Sequence, residues 1–250
     1  MSRWSIFLLI LLPFRAFTQD ATIWLNKAAR AEAVFKEEEA FAAYKQALRL
    51  QPKNVAVLCR CSDLSCRIGN RQANREQKIA DFKEGYRYAL MAYALDSTNS
   101  DVNIVMAFSL GRMTLIQSGK EKVAAAVDIK RYAEQAIRYD PTSYKAYHIL
   151  GRWQYEVSKL NFLERAFARW FFGALPEASL QEAIREYEKS MSLRPDFMLN
   201  YLELAKALHR DGQDARAIQL LRHMATLSDQ MYDDRQVRAE GARLMSDLLP

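Results

Sequence analysis

From Asp20 onward the chain carries a mixed apolar and polar helical pattern, punctuated by four turns of one kind. Each turn is an apolar helix end, then proline or a substitute for it, then a new helix: Leu48–Pro52, Ala94–Ser97, Arg138–Pro141 and Leu193–Pro195. Proline has no amide hydrogen and clashes with the preceding helical turn, so it ends one helix and cannot continue it.

The turns lie 45, 44 and 54 residues apart, and the period emerges only from local offsets. Twelve residues before them stand Ala40, Gly85, Ile129 and Ala183, and five before stand Ala47, Ala92, Ala136 and Ser190. Eight before are Tyr44, Ala89, Ala133 and Tyr187. Nine residues after them come Cys61, Met106, Leu150 and Leu204, each followed by Ser62, Ala107, Gly151 or Ala205. Small residues at fixed helical spacing let two helices approach closely, as stacked helical hairpins require. This is the tetratricopeptide (TPR) arrangement. Against its period of about 34 residues, the spacings carry excess residues, the largest excess in the third. These fall between the two helices of a hairpin. The expected fold is all-α: a TPR-like right-handed superhelix of four in-phase antiparallel hairpins with lengthened and inserted helices.

Ahead of this pattern, Arg3, the apolar run Ser5–Leu12 and the small-residue site Ala16-Phe-Thr18 read as an export signal. The run is too short to span a bilayer, which takes about 20 apolar residues. Residues 1–18 are therefore expected to be a signal peptide and 19–250 a single helical domain, periplasmic or extracellular.

The third interval carries the most distinctive motif. Gly151-Arg-Trp153 is followed by Leu163-Glu-Arg165 and by Phe172-Gly-Ala-Leu-Pro176, after which Ala178-Ser-Leu-Gln-Glu-Ala183 opens the next helix. This layout resembles the regulator of microtubule dynamics family, over roughly 35–225 in arrangement and over 146–197 in distinctive motif. Cys59 stands where that family is expected to have an aromatic residue. The resemblance implies an all-helical binding domain with no catalytic residues to carry over. It also implies links of animal members to microtubules, organelle membranes and lipid exchange.

Composition adds little chemistry. A formal charge of +6, from 36 basic and 30 acidic residues, suits anionic partners and does not call for nucleic acid. Cys59, Cys61 and Cys66 share one expected helix; across seven helical residues, about 10 Å, Cys59 and Cys66 cannot bridge. They read as buried apolar thiols. His148, His209 and His223 are scattered, no phosphate loop or nucleophile elbow is present, and neither a metal site nor a cofactor is expected. Glu37-Glu38-Glu39 read as a solvated helix start that complements the helix dipole.

In TPR hairpins the first helix lines a concave groove. The repeat phase places Arg67, Arg112, Arg152, Lys206 and Arg210 on one wall, with His148, Tyr155 and His209 beside them. Guanidinium groups capture carboxylates and phosphates through two hydrogen bonds at once, so the expected ligand is acidic: a protein or peptide partner. The alternative is that these charges pair internally, as Arg152 would with Glu156 one turn away. A second surface is the apolar face of the insertion 161–173, formed by Phe162, Phe167, Trp170 and Phe171. It reads either as core or as a contact for an anionic lipid or membrane. The sequence thus points to a non-catalytic exported adaptor, with a lipid-binding or lipid-transfer module as the alternative.

Overall fold

A computed structural model describes residues 14–117, 119–161, 166, 170 and 176–249. Its helices are α1 (Phe14–Ala33), α2 (Glu37–Leu50), α3 (Val55–Arg71), α4 (Arg75–Leu95), α5 (Ser100–Met113) and α6 (Gly119–Tyr139). They continue as α7 (Tyr144–Ser158), α8 (Leu180–Leu193), α9 (Met198–Arg210), α10 (Asp214–Thr226) and α11 (Asp234–Leu248). No strand occurs among the described residues.

The four sequence turns are the junctions between hairpins, and all four close alike. The amides of Gln51, Asp96, Asp140 and Arg194 each bond back four residues, to Ala47, Ala92, Ala136 and Ser190, at 2.8–3.0 Å. At the second junction, where Ser97 stands in place of proline, the Asp96 carboxylate accepts from the Thr98 amide at 3.2 Å and hydroxyl at 3.0 Å, as Asp140 does from Thr142 beside Pro141. That Asx turn halts the helix as a proline would. Asn54 and Asn99 then cap the helices after the first two junctions, α3 and α5, and Asn74 and Ser179 cap α4 and α8 within their hairpins, each accepting an amide three residues on.

Four junctions separate five hairpins, one more than the pattern of turns announces. The additional pair is α1–α2, whose first helix lacks the Leu-small signature. Its turn and the α9–α10 turn both end in the bond from the sixth residue to the first, Lys36 to Ala31 and Gln213 to Leu208, each 2.9 Å. The left-handed residue this needs is Phe35 (φ 59°) in one and Gly212 (φ 76°) in the other.

The excess residues sit where expected. In the second and third hairpins they lengthen the outer helices, α4 and α6, to 21 residues each. In the fourth they lie between α7 and α8, where residues 166 and 170 are helical. Helix α1 runs through the expected signal cleavage point at Thr18; residues 1–13 lie outside the described residues.

First helices of successive hairpins touch one another, α3 to α5, α5 to α7, α7 to α9, and α9 to α11, while the second helices of neighbouring hairpins do not. The first helices therefore form the inner wall. The apolar core runs in two bodies, one from α1 to α6 around Leu58, Leu64 and Met106, the other from α7 to α11 around Tyr187, Leu204 and Leu208. Ala133, Leu150 and Trp153 lie between them. All three cysteines are buried and unbridged, with burial pushing each thiol up to about 12.

Helix approach is tightest at the small positions. A methyl group on Gly85 would lie 2.5 Å from Cys66 Sγ and 3.0 Å from the Ser62 carbonyl oxygen; on Gly151 it would lie 2.9 Å from the Tyr187 ring. At Gly111 a methyl would meet nothing within 4 Å. Gly85→Ala is expected to cost about 1–3 kcal/mol by overpacking, whereas Gly111→Ala should be neutral or gain up to about 1 kcal/mol of helix propensity. Thermal or urea denaturation of the two variants checks the contrast.

Candidate functional site on the inner wall

The inner wall presents charged side chains from α3, α5, α7, α9 and α11, and its two ends are neutralised differently from its middle. At the amino-terminal end Glu37 opens α2 and is only 4% exposed. Its carboxylate is bound by Arg67 and, at 2.7 Å, by Arg71. Burial raises its pKa despite both arginines. The expected solvated helix start therefore holds for Glu38 and Glu39 but not for Glu37, because the chain folds α3 over it and supplies counter-ions. Arg67 also faces Asp63 at 3.7 Å, and Arg60 pairs with Glu32.

Arg71 has a further partner from far along the chain. Asp233, just before α11, accepts from it at 3.2 Å, and the Tyr232 ring lies 4.2 Å from its guanidinium carbon. The segment carrying them is knitted from within: Asp234 accepts the Gln230 and Met231 amides at 2.7 and 2.8 Å, and Arg238 holds the carbonyls of Ala225 and Leu227. Between this segment and the first hairpins lies a pocket of about 350 Å³, lined by Glu32, Phe35, Glu37, Arg60, Arg67 and Met231 among others.

At the carboxy-terminal end Lys206 bridges Glu203 at 2.9 Å and Glu240 at 2.8 Å. Burial would raise the Glu203 pKa, but Arg152 and Lys206 outweigh it and hold the group below the ordinary value. Arg210 bonds the hydroxyl and carbonyl oxygens of Ser158 at 3.0 and 3.2 Å and stands 5.6 Å from the Tyr155 ring. His209 turns to Asp214 at 2.7 Å, on the α9–α10 corner.

The middle is different. Arg112 donates to the neutral Asn70 side chain at 3.1 Å and lies 5.0 Å from the Phe108 ring, with no carboxylate in ion-pair contact among the described residues. Burial, then the nearby Arg152, lowers its pKa to about 10. Arg152 is exposed and makes no ion pair among the described residues; Glu156, its expected partner, takes Lys159 at 3.1 Å. The structure thus brings Arg67, Arg112, Arg152 and Lys206 into one series and pairs its outer members.

Three consecutive residues of α7 divide their labour because each helical step turns about 100°. Gly151 admits Tyr187 of α8, Arg152 is exposed, and the Trp153 indole donates to the Ala126 carbonyl of α6 at 2.6 Å. His148 lies one turn earlier, inside the packing of α7, α8 and α9 rather than on the open wall. It is edge-on to Phe197 at 4.9 Å and 5.6 Å from Tyr187. Asn200 donates its amide to the Tyr187 carbonyl at 2.8 Å, which leaves its oxygen facing His148 Nδ1 at 3.0 Å. Nδ1 therefore carries the proton and donates.

Of the insertion's aromatic residues, Phe162, Phe167 and Phe171 lie outside the described residues. Trp170 is 85% exposed and so is not core. No described helix is long and apolar enough to cross a membrane. The residues that sequence reasoning did not single out are Arg71, Asn200, Tyr232 and Asp233. Arg71 lies four residues beyond Arg67, one turn along the same helix face, which is a signal it could have used. Nothing local in sequence links Asp233 to it.

A model of the regulator of microtubule dynamics proteins 1–3 matches residues 21–249. Regulator of microtubule dynamics protein 3 of Xenopus laevis is 27% identical over 176 residues, covering 70% of this chain and 37% of that protein. Regulator of microtubule dynamics protein 1 of Caenorhabditis elegans is 25% identical over 189 residues, covering 75% and 81%. The chain thus spans well under half of the Xenopus relative. Among solved structures, a thermophilic TPR protein of Thermus thermophilus superposes with a TM-score of 0.66 at 11% identity, covering 89% of this chain and 99% of that one. PilF of Pseudomonas aeruginosa superposes with a TM-score of 0.56 at 14% identity, covering 94% of each chain. These two likenesses show the fold.

The buried His148 makes stability pH-dependent. Burial lowers its pKa to about 4, against the Asn200 bond and Glu203, which raise it, while Arg152 lowers it further. The unfolded chain, with histidine near 6.5, takes up the proton first. The stabilising contribution is thus complete above about pH 6.5 and lost as pH falls toward 4, a change of about 3 kcal/mol. Urea denaturation between pH 7 and 4.5 should show this loss, and His148→Gln should flatten it.

Proposed function

The chain belongs to the regulator of microtubule dynamics family, and on that premise we propose that it is a non-catalytic scaffold whose concave wall holds an acidic segment of a polypeptide partner. The reading is carried by one observation, the uneven neutralisation of that wall. Carboxylates answer Arg67 and Arg71 at one end and Lys206 at the other, whereas Arg112 and Arg152 in the middle, and Arg210 beyond them, have none in ion-pair contact among the described residues. Such a wall attracts anionic segments and steers their approach. Interspersed acids such as Glu32, Asp63, Glu203 and Glu240 make it unsuited to the continuous phosphate backbone of a nucleic acid. Residues 1–18 serve as an export signal, and the mature chain works in a periplasm or outside the cell.

Fluorescence anisotropy with a labelled glutamate-rich peptide tests the reading, on protein purified from an exporting host and checked by mass for loss of residues 1–18. Saturable binding is expected, weakening as salt rises, since screening confines such attraction to about 8 Å at physiological ionic strength. A lysine-rich peptide of equal length should not bind. No saturable binding of the acidic peptide at low salt would sink the proposal.

A second reading, a lipid-binding or lipid-transfer module, is favoured by Trp170, whose exposed indole suits a membrane interface. Flotation with anionic vesicles separates the two. The scaffold reading expects the protein to stay at the bottom of the gradient. Flotation that is lost in Trp170→Glu would support the lipid module instead.

A further inference from the structure

We infer that the cavity between the first hairpin and the segment before α11 binds a small zwitterion with an apolar side, the chemistry of a free amino acid or a short peptide. This site goes beyond the scaffold reading and stands independently of it.

Three stretches of chain remote in sequence build the cavity. They are residues 29–37 in α1, its turn and the start of α2, Arg60 and Arg67 of α3, and Gln230 with Met231 ahead of α11. Its volume of about 350 Å³ falls within the range of small-molecule sites. The lining is of two kinds. Ala29, Ala33, Phe35 and Met231 give it apolar surface, and two ion pairs give it charge, Glu37 with Arg67 and Glu32 with Arg60.

The two pairs differ in access. The side chains of Glu37 and Arg67 are 5% and 15% exposed, those of Glu32 and Arg60 21% and 37%. The first pair is therefore framework, and the second is the one a ligand reaches. Glu32 is held by the Tyr44 hydroxyl, which donates to its Oε2 at 2.7 Å, and by Arg60 Nη2 on its Oε1. A carboxylate has about four acceptor sites, so it can take a further donor. Arg60 Nη1 stands 3.8 Å from Asp63, beyond hydrogen-bond range, and keeps its capacity to donate.

A carboxylate and a guanidinium side by side present opposite charges to one small volume. A ligand of single charge is attracted by one and repelled by the other. A zwitterion satisfies both, its carboxylate on Arg60 and its ammonium on Glu32, through charge-assisted hydrogen bonds. The apolar residues then take the rest of the molecule.

Phe35 is a second observation that points to this cavity. It is the one non-glycine residue with positive φ among the described residues (φ 59°), at the position Gly212 fills in the matching α9–α10 turn. A side chain there strains the backbone. The ring is 36% exposed, so burial in the core does not explain it. What it adds, and glycine would not, is apolar cavity wall.

The test uses the full mature chain. Calorimetry is run with L-phenylalanine and glycyl-L-phenylalanine, and with phenethylamine and hydrocinnamate, which keep the ring but carry one charge each. Saturable binding of a zwitterion is expected, about tenfold or more tighter than either singly charged analogue. The tighter zwitterion identifies amino acid or peptide as the preferred source. At about ten times its Kd it should raise the Tm by about 3–6 °C. It should also slow amide hydrogen exchange in the first hairpin turn and at Gln230 and Met231 together, because it touches both.

Ala29 is exposed on α1, so Ala29→Trp fills the cavity without entering the core and should abolish binding. Phe35→Gly removes the ring and relieves the strain. Without ligand it should melt within about 3 °C of wild type, yet bind about tenfold more weakly. Glu32→Gln, which keeps an acceptor for Tyr44, should remove the zwitterion's advantage over hydrocinnamate.

The inference is overturned if neither zwitterion binds, or if phenethylamine or hydrocinnamate binds as tightly. Binding unchanged in Ala29→Trp would overturn it as well, and that comparison decides even if Phe35→Gly fails to fold.

Discussion

Two helices of a hairpin can lie close together only where one of them presents almost no side chain, and the rest of this molecule depends on that spacing. Gly69 against Asp81, Gly85 against Cys66 and Gly151 against Tyr187 are instances within hairpins. Ala40, Ala89, Ala133 and Ala183, each fully buried, extend the same condition along the stack. Close packing within hairpins fixes how hairpins stack, and stacking puts the first helices on the inner wall. Even the hydroxyl at one small position is used: Ser190 donates to the Tyr144 carbonyl at 2.9 Å, tying the end of α8 to the start of α7. Small residues are therefore a geometric requirement here, and the charges on the wall are placed by a constraint that has nothing to do with charge.

Two buried carboxylates on that wall, Glu37 and Glu203, show how the arrangement balances. Burial dominates at Glu37 and raises its pKa even with two arginines bound. At Glu203 burial is outweighed, Arg152 contributing most against it and Lys206 next. Arg152 thus acts on both sides of itself, favouring the charge on Glu203 and opposing that on Arg112. The wall is one electrostatic unit, although five helices supply it.

The fold was largely legible in the sequence because its determinants are local. Proline or an Asx turn ends a helix, a small residue marks a close approach, and both recur at fixed offsets whatever is inserted between them. The first hairpin escaped because α1 lacks the Leu-small signature and its turn uses Phe35 where Gly212 serves later. The candidate site was legible in part. Helical phase placed Arg112 and Arg152 on the wall, and it also nominated His148, which the structure tucks between Phe197 and Tyr187 instead. A residue one turn from the groove can rotate into the hairpin interior, and its polarity does not reveal this without its partner Asn200, 52 residues later. The pairing of Glu37 was hidden for the same reason: a run of three acids at a helix start looks solvated until another helix covers the first.

One contact sets this solenoid apart from an open stack. Repeat arrays ordinarily touch only their neighbours, so their stability adds up unit by unit and their curvature can flex like a spring. Here Arg71 grips Asp233 across 162 residues of chain and lies against Tyr232. The coil carries a clasp. A change of pitch at any hairpin is transmitted to that clasp, so the diameter of the concavity is set by the ends as well as by the stacking between them. Fraying of the last helix becomes an event that the second hairpin also registers, and the array loses some of the independence that repetition usually confers.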